Sequence, residues 1–158
     1  MKNKRDDLDT YFMEICDKVA ERSTCRVKLG CLIVKDKMIH GMGYVGSLSG
    51  DLHCVDDAGC LLVDNHGEYG SSSSGRSCIR TTHAEINALI KCSERGSQFT
   101  GWMTSYSTYT PCLNCFKALL SIGVRTFVYR KEYIDKNRDI YLNALKESIR
   151  TSIVFRCR

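Results

Sequence analysis

The strongest constraint on the fold is an alternation of helix-type and strand-type patterns in the second half of the chain. It begins with HAEINALI at residue 83 and continues to the last residues. The predicted elements are a helix from 83 that ends before Gly96, a strand over 103–109, a helix over 111–123, a strand over 124–129, a helix over 137–150 and a strand over 152–155. Such an alternation indicates crossover connections in a central sheet with helices on both faces. The predicted fold class is therefore α/β.

The first half of the chain adds a helix and a hairpin before the regular pattern breaks. Apolar residues at helical spacing predict a helix over 6–22, with Asp6 or Asp7 near its start. Strands are predicted over 29–34 and 38–45 around the turn KDK. Residues 46–82 are rich in glycine and serine and predict a long irregular segment, of a length that is usually functional or disordered. A length of 158 residues fits a single domain, 1–158.

Charge and hydropathy exclude several classes of protein. The net charge of +5 is spread among acidic residues, so the sequence lacks a DNA-coating surface and suits a small anionic ligand. No apolar run approaches the roughly 20 residues of a membrane helix, and the N-terminus MKNKRDDLDTYF lacks the apolar stretch of a signal peptide. We expect a soluble, cytoplasmic protein with no membrane partner.

The chain contains ten cysteines, which a reducing cytosol favours as metal ligands rather than as disulfides. Four lie in apolar patterns and are predicted to be small buried hydrophobes: Cys16, Cys31, Cys92 and Cys157. Cys112 and Cys115 form a C-x-x-C pair. Four more are scattered through the polar half: Cys25, Cys54, Cys60 and Cys78.

The best ligand candidates are located at two predicted helix starts. His83 begins one helix, and Cys112 and Cys115 lie in the first turn of another. If these helix ends converge, one nitrogen and two sulfur ligands can hold zinc and leave its fourth position open, which is typical of a catalytic site. Glu85, two residues after His83, is suited to moving a proton beside such a metal.

Each of these residues also has an ordinary structural explanation. His83 could cap its helix, Glu85 could be a solvated acid in the first turn, and Pro111 with Cys112 could be no more than a good helix start. Their joint occurrence favours the zinc site, because helix formation alone does not require a ligand, an acid and paired thiols at two helix starts.

The motifs His83-Ala84-Glu85 and Pro111-Cys112-Leu113-Asn114-Cys115 together match the signature of zinc nucleobase deaminases. More specifically, the chain resembles deoxycytidylate (dCMP) deaminases, including the competence-operon type, from about Cys25 to about Tyr133. The segments that carry the resemblance are RSTCRVKLGCLIV, HGMGYVG, DLHCVDDAGC, CIRTTHAEINALIKC and TPCLNCFKALLSIGVRTFVY.

The resemblance implies a three-layer α/β/α sandwich with a mixed five-stranded sheet, the cytidine deaminase-like fold, and a homo-oligomer, usually a hexamer. It implies hydrolytic deamination of dCMP to dUMP, with His83, Cys112 and Cys115 holding the catalytic zinc and Glu85 as the proton shuttle. Attack of an activated water at C4 of cytosine would release ammonia. Activity on dCTP or on 5-substituted dCMP is also compatible with the pattern.

The resemblance also suggests substrate contacts and a second zinc ion. The predicted substrate contacts are Ala84, Tyr109 and Thr110 near the base and Arg26, Lys28, Tyr133 and Lys136 near the phosphate. Tyr109 is equally compatible with plain strand packing, and the cations with solvated surface positions. Cys25, Cys54, Cys60 and Cys78, with His53 or His66 as alternates, match the family's second, structural zinc, which braces the insert around 46–82; unpaired buried thiols are the alternative.

One departure from the family pattern concerns regulation. The chain has Gly43-Tyr44-Val45-Gly46 where the family commonly has asparagine in the third position, and valine cannot make the hydrogen bonds of an amide. Activation by dCTP and inhibition by dTTP are therefore not expected. Two other functional classes make different demands on the sequence. A polynucleotide deaminase acting on tRNA or single-stranded DNA should show a clustered basic, aromatic groove, and a zinc-braced scaffold without chemistry would not need Glu85.

Overall fold

The computed structural model describes residues 6–56, 59–64, 76–94, 96, 101–148 and 153–158. Its elements, in chain order, are α1 (Leu8–Glu21), β1 (Gly30–Lys35), β2 (Met38–Tyr44), β3 (Gly46–Ser47), β4 (Leu62–Asp64), β5 (Arg76–Cys78), β6 (Thr81–Thr82), α2 (Ala84–Glu94), β7 (Met103–Tyr109), α3 (Leu113–Ser121), β8 (Val124–Lys131), α4 (Lys136–Ser148) and β9 (Val154–Cys157). Asp7 caps α1, since its Oδ1 accepts the N–H groups of Asp9 and Thr10, both at 3.1 Å. Among these elements, no helix is both long and apolar enough to cross a bilayer.

A mixed sheet of five strands forms the centre, in the order β2-β1-β7-β8-β9. The strand β1 is antiparallel to both of its neighbours, whereas β7, β8 and β9 run parallel. Parallel neighbours need crossover connections, which α3 and α4 supply. The α/β class and the mixed five-stranded sheet predicted from the sequence are confirmed.

Side chains of β1 alternate between two apolar cores and so define the three layers. Leu32 and Val34 pack with α1 on one face of the sheet. Cys31 and Ile33 point to the other face, where they meet buried residues of α2, α3 and α4. Because β1 is covered on both faces, the stretch LGCLIV is almost continuously apolar.

Helix α2 lies unusually close to β2 because two glycines face it. A Cβ atom on Gly43 would collide with the backbone of Ala88 and Ala84, and one on Gly41 would collide with the Ala88 carbonyl and the Cys92 sulfur. Ala84 and Ala88 of the helix therefore pack directly against the strand backbone at the two glycines. This contact determines where the N-terminus of α2, and with it His83, lies relative to the sheet.

Three sequence predictions need correction. The segment 46–82 is not wholly irregular, since β3 pairs with β6 and β4 with β5; pairs of two or three residues are too short to show a periodicity. The helix predicted over 111–123 begins later, at Leu113, with Pro111 outside it. Cys157 is exposed rather than buried, because β9 is an edge strand of the sheet.

The contact between α2 and β2 predicts a strong effect of a single methyl group. Gly43→Ala is expected to lower the free energy of unfolding by about 2 kcal/mol, because backbone atoms of α2 cannot yield as side chains do. Urea denaturation measures this loss.

Gly46→Ala is the matched control, since its added Cβ would approach only side-chain atoms, at 3.3 Å from the Thr24 hydroxyl and 3.4 Å from the Tyr44 ring. Equal losses of stability in the two variants would contradict the role assigned to Gly43.

Candidate metal centre and active site

Two helix N-termini converge to form the centre of the site. His83 directly precedes α2, and Cys112 is the N-cap residue of α3. The Nδ1 atom of His83 lies 3.6 Å from Cys112 Sγ and 3.4 Å from Cys115 Sγ. The ligand atoms of the three residues all lie within 4.8 Å of one another. Two distant parts of the sequence therefore meet as the sequence analysis expected.

The donor set of this group fits zinc. One imidazole nitrogen and two thiol sulfurs are the atoms that zinc prefers, and three protein ligands leave one tetrahedral position for water or substrate. His83 is exposed, Cys112 is half-buried and Cys115 is buried, so the group lies at the boundary between core and solvent. A small substrate can reach such a position from outside.

Protons are distributed unequally among the three ligands. Hydrogen bonding from Cys115, and then from His83, lowers the pKa of Cys112 to about 4 despite its partial burial. The hydrogen bond with Cys112 raises the pKa of His83 to about 9, and bonding to Cys112 with burial raises that of Cys115. Of the three ligand candidates, Cys112 is therefore the most readily ionised, and it lies beside a His83 ring whose pKa is raised. Metal binding must displace the protons that remain.

Glu85 lies buried beside the three ligands, with 8% of its surface exposed. Burial raises the pKa of its carboxyl, and the nearby His83 charge opposes that shift. An interaction with the Cys115 side chain also opposes the rise in this pKa. A carboxyl with a raised pKa at this position can accept a proton from water and release it to a leaving group.

The segment that carries Cys112 is fastened by the chain after β8. The Thr110 hydroxyl accepts the N–H of Tyr133 at 2.7 Å and donates to its carbonyl at 3.1 Å. Asp135 accepts the N–H of Leu113 at 2.8 Å, and Arg138 donates to the Pro111 carbonyl at 3.1 Å. The sequence analysis missed Asp135 and Arg138. The first has only the weak signal of an acid in front of a helix.

A second group of thiols lies in the insert. The sulfur atoms of Cys25, Cys54 and Cys60 lie within 4.8 Å of one another. Cys78 joins them, with its Sγ 3.6 Å from that of Cys54. Burial, and then hydrogen bonds with Cys78 and Cys60, raise the pKa of Cys54 to about 12. The four cysteines that the sequence analysis grouped are thus adjacent in space.

The alternates for this second group differ in status. His53 is half-buried, and its Nδ1 has no hydrogen-bond partner among the described residues. His66 lies outside the described residues, as does most of the stretch GEYGSSSSGRS.

Val45, the departure from the family pattern, is buried. Its N–H donates to the Leu29 carbonyl at 3.0 Å, and its carbonyl accepts the Ser23 hydroxyl at 2.8 Å.

The predicted substrate contacts lie in different surroundings. Ala84 and Thr110 are buried next to the ligand residues, and Tyr109 is half-buried with the Lys131 ammonium 5.8 Å from its ring centroid. Tyr133 is half-buried, and this burial, followed by the Asp135 and Cys112 charges, raises the pKa of its phenol. The cations are exposed: Arg26 and Lys28 lie between α1 and β1, and Lys136 begins α4.

Known proteins are similar to this chain in sequence. The family model for the cytidine and deoxycytidylate deaminase zinc-binding region matches residues 6–131. ComE operon protein 2 of Bacillus subtilis is 40% identical over 124 residues, which are 78% of this chain and 59% of that protein, so the chain spans about three fifths of that relative. The deoxycytidylate deaminase of Mycobacterium phage D29 is 36% identical over 129 residues, which are 81% of this chain and 98% of that protein.

A solved structure extends the likeness to the whole chain. The dCMP deaminase of cyanophage S-TIM5, crystallised in complex with dCMP and dUMP, superposes with a TM-score of 0.71 at 23% identity and covers 99% of this chain and 100% of that one. At this identity the likeness concerns the fold. It agrees with the three layers and the five-stranded sheet described above.

Proposed function

The chain belongs to the cytidine and deoxycytidylate deaminase family, and on that premise we propose that it is a hydrolase that converts dCMP and water to dUMP and ammonia. The observation that carries the proposal is the convergence of His83, Cys112 and Cys115 within 4.8 Å beside the buried Glu85. The likeness to a phage deoxycytidylate deaminase over 98% of its length supports dCMP as the substrate.

His83, Cys112 and Cys115 are the residues that would hold the catalytic zinc ion. When bound, zinc supplies a Lewis acid that lowers the pKa of a coordinated water to about 7. The chain contributes the proton carrier. Glu85 takes a proton from the attacking water and delivers it to the amino nitrogen that leaves C4 of cytosine. Its burial suits both steps. The raised pKa of the carboxyl lies closer to the pKa values of the groups with which it exchanges protons.

The residues around the ligands have proposed roles in holding the nucleotide. Ala84 lies in the first turn of α2, where backbone N–H groups have no partner within the helix, and it can bind the base. The Thr110 main chain and the Tyr109 ring, which come just before Pro111 and Cys112 in the chain, are proposed as further contacts to the base. Arg26, Lys28, Tyr133 and Lys136 supply cationic or hydroxyl groups that suit the 5′-phosphate. Activity on dCTP or 5-substituted dCMP would depend on these same residues.

A polynucleotide substrate is the second candidate and is not favoured. Deaminases that act on tRNA or single-stranded DNA need a basic groove lined with aromatic rings. The cations of this chain are interspersed with acids, and several of them form ion pairs, such as Arg130 with Asp17 at 2.8 Å and Arg80 with Asp51 at 3.0 Å. A free nucleotide needs only a few cationic groups for one phosphate.

We propose that Cys25, Cys54, Cys60 and Cys78 hold a second, structural zinc. Four sulfur donors form a closed tetrahedral site of the kind that orders small loops. In the described part of the insert the only ladders are the short pairs β3–β6 and β4–β5, so that part has little core of its own. Zinc would offset the cost of ordering it. His53 is the alternate ligand that the structure describes.

We also propose that the enzyme works as a homo-oligomer, with a hexamer expected, in the cytoplasm, where reducing conditions keep its thiols free. Support for association comes from exposed apolar side chains around the insert, each between 49% and 63% exposed: Leu48, Leu52, Val55, Leu61 and Ile79. A second copy of the chain can cover such residues.

The first prediction concerns the reaction. Zinc-loaded protein should release ammonia from dCMP, and Glu85→Gln should lower kcat by at least about 100-fold without loss of zinc, because the proton carrier is gone. Ammonia release and metal content are measured on a panel of cytidine, dCMP, dCTP, 5-substituted dCMP, tRNA and single-stranded DNA.

Glu94→Gln, an exposed carboxylate on the same helix that pairs with Lys91, is the control and should leave kcat unchanged. Turnover of tRNA or single-stranded DNA without turnover of any free nucleotide would overturn the proposal in favour of the polynucleotide candidate.

The second prediction concerns metal content. We expect about two zinc ions per chain and about one in Cys60→Ser, because three sulfurs hold the structural ion less tightly. Cys157→Ser, which changes an exposed thiol outside both groups, should keep both ions. A value near one in the unmodified protein would remove the second site.

The third prediction concerns assembly. Sedimentation equilibrium should give about six times the chain mass of 17.9 kDa. Val55→Glu should produce smaller species. Trp102→Glu is the control and should not, because Trp102 precedes β7 at the end of that strand that is far from the metal ligands. A monomer at every concentration tested would refute assembly through this surface.

A further inference from the structure

One buried carboxylate in the protein caps two helices at once. Asp135 is 6% exposed and directly precedes α4. Its Oδ1 accepts the N–H of Arg138 at 3.0 Å, which is the usual bond of an N-cap residue to its own helix. Its Oδ2 accepts the N–H of Leu113 at 2.8 Å, the first residue of α3. The two acceptor oxygens therefore join α4 to the start of α3.

Helix α3 needs this outside cap because its own N-cap residue is a ligand candidate. The first N–H groups of a helix have no partner within the helix, and the N-cap side chain normally supplies one. Cys112 holds the N-cap position and makes no side-chain capping bond. Its sulfur instead faces His83 and Cys115. Asp135 therefore supplies, from outside the helix, an acceptor for the first of these N–H groups, that of Leu113.

Further bonds from the same segment hold the residues on either side of Cys112. Arg138 is 3% exposed, and its Nη1 donates to the Pro111 carbonyl at 3.1 Å. Its Nη2 and Nε donate to the Asp139 carboxylate at 2.9 and 3.1 Å, which fixes the plane of the guanidinium. Pro111 and Leu113, the two neighbours of Cys112, are therefore both held by side chains of 135–138.

We propose that Asp135 is a positioning residue of the metal centre, which acts through the Leu113 N–H to hold Cys112 at the angle required for zinc, with Arg138 holding Pro111 on the other side. The inference rests on the proposed function only in taking His83, Cys112 and Cys115 as zinc ligands. Loss of a residue that orients a metal ligand without touching the metal typically lowers metal affinity or activity 10- to 100-fold.

The test compares substitutions of Asp135 that differ in how many of the two N–H groups the new side chain can bond. Asp135→Ser keeps a hydroxyl that can cap α4 but is too short to bond Leu113 as well. Asp135→Asn keeps the size of the side chain but only one acceptor oxygen. When that oxygen caps α4 through the Arg138 N–H, the amide N–H group faces the Leu113 N–H. Asp7→Ser is the matched control, because Asp7 caps α1, which packs on the opposite face of the sheet from α2 and α3.

Zinc affinity is measured by chelator competition, and the relevant zinc ion is identified as the one lost in Cys112→Ser. We expect the affinity of this site to fall about 10- to 100-fold in both Asp135 variants and to stay unchanged in Asp7→Ser. The visible spectrum of the cobalt-substituted protein should shift only in the Asp135 variants, because the geometry around the thiolates changes. Urea denaturation reports the stability of each variant.

Two results would overturn the proposal: zinc affinity within twofold of the unmodified protein in the Asp135 variants, or an equal loss in Asp7→Ser, which would make the effect one of general stability. If Asp135→Ser does not fold, Asp135→Asn alone decides between these results. Failure of the proposed function is distinguishable, since it would appear as absent dCMP turnover in the unmodified, zinc-loaded protein.

Discussion

The close contact between α2 and β2 is the constraint on which the site depends. Gly41 and Gly43 leave the strand bare on one face, and small residues of α2 lie directly against it. Because no side chain of the strand separates the two elements at these positions, the first turn of α2 packs directly against the sheet. His83 and Glu85 therefore occupy set positions before any metal binds.

The other half of the site depends on a division of tasks at α3. A cysteine at the N-cap leaves the helix without its usual capping bond but frees a sulfur for the metal. Asp135 accepts another N–H at the start of the helix, that of Leu113, and Thr110 and Arg138 hold the residues around Cys112. Buried polar side chains from α4 and from the residue before it thus hold the start of α3, which carries the ligand candidate Cys112. Cys112 is free to bind the metal, and Asp135 and Arg138 stabilise the backbone around it.

The insert follows another principle. Its short ladders bury little apolar surface, and exposed apolar side chains surround them. Four adjacent thiols in this part of the chain can bind a metal ion. Such binding would order the insert in place of a hydrophobic core. The insert also leads directly into His83 through β6, so whatever orders it also determines how the chain enters the catalytic helix.

The sequence by itself determined the type of fold and the identity of the ligand candidates. Strand and helix periods are local properties, and HAE with PCLNC places ligand residues at helix starts whatever the surroundings. It did not reveal the short ladders within 46–82, the exposed position of Cys157, or the roles of Asp135 and Arg138. Only the tertiary structure decided these, because they depend on contacts between residues far apart in the chain, such as Asp135 and Leu113, and long-range contacts of this kind leave no period in the sequence.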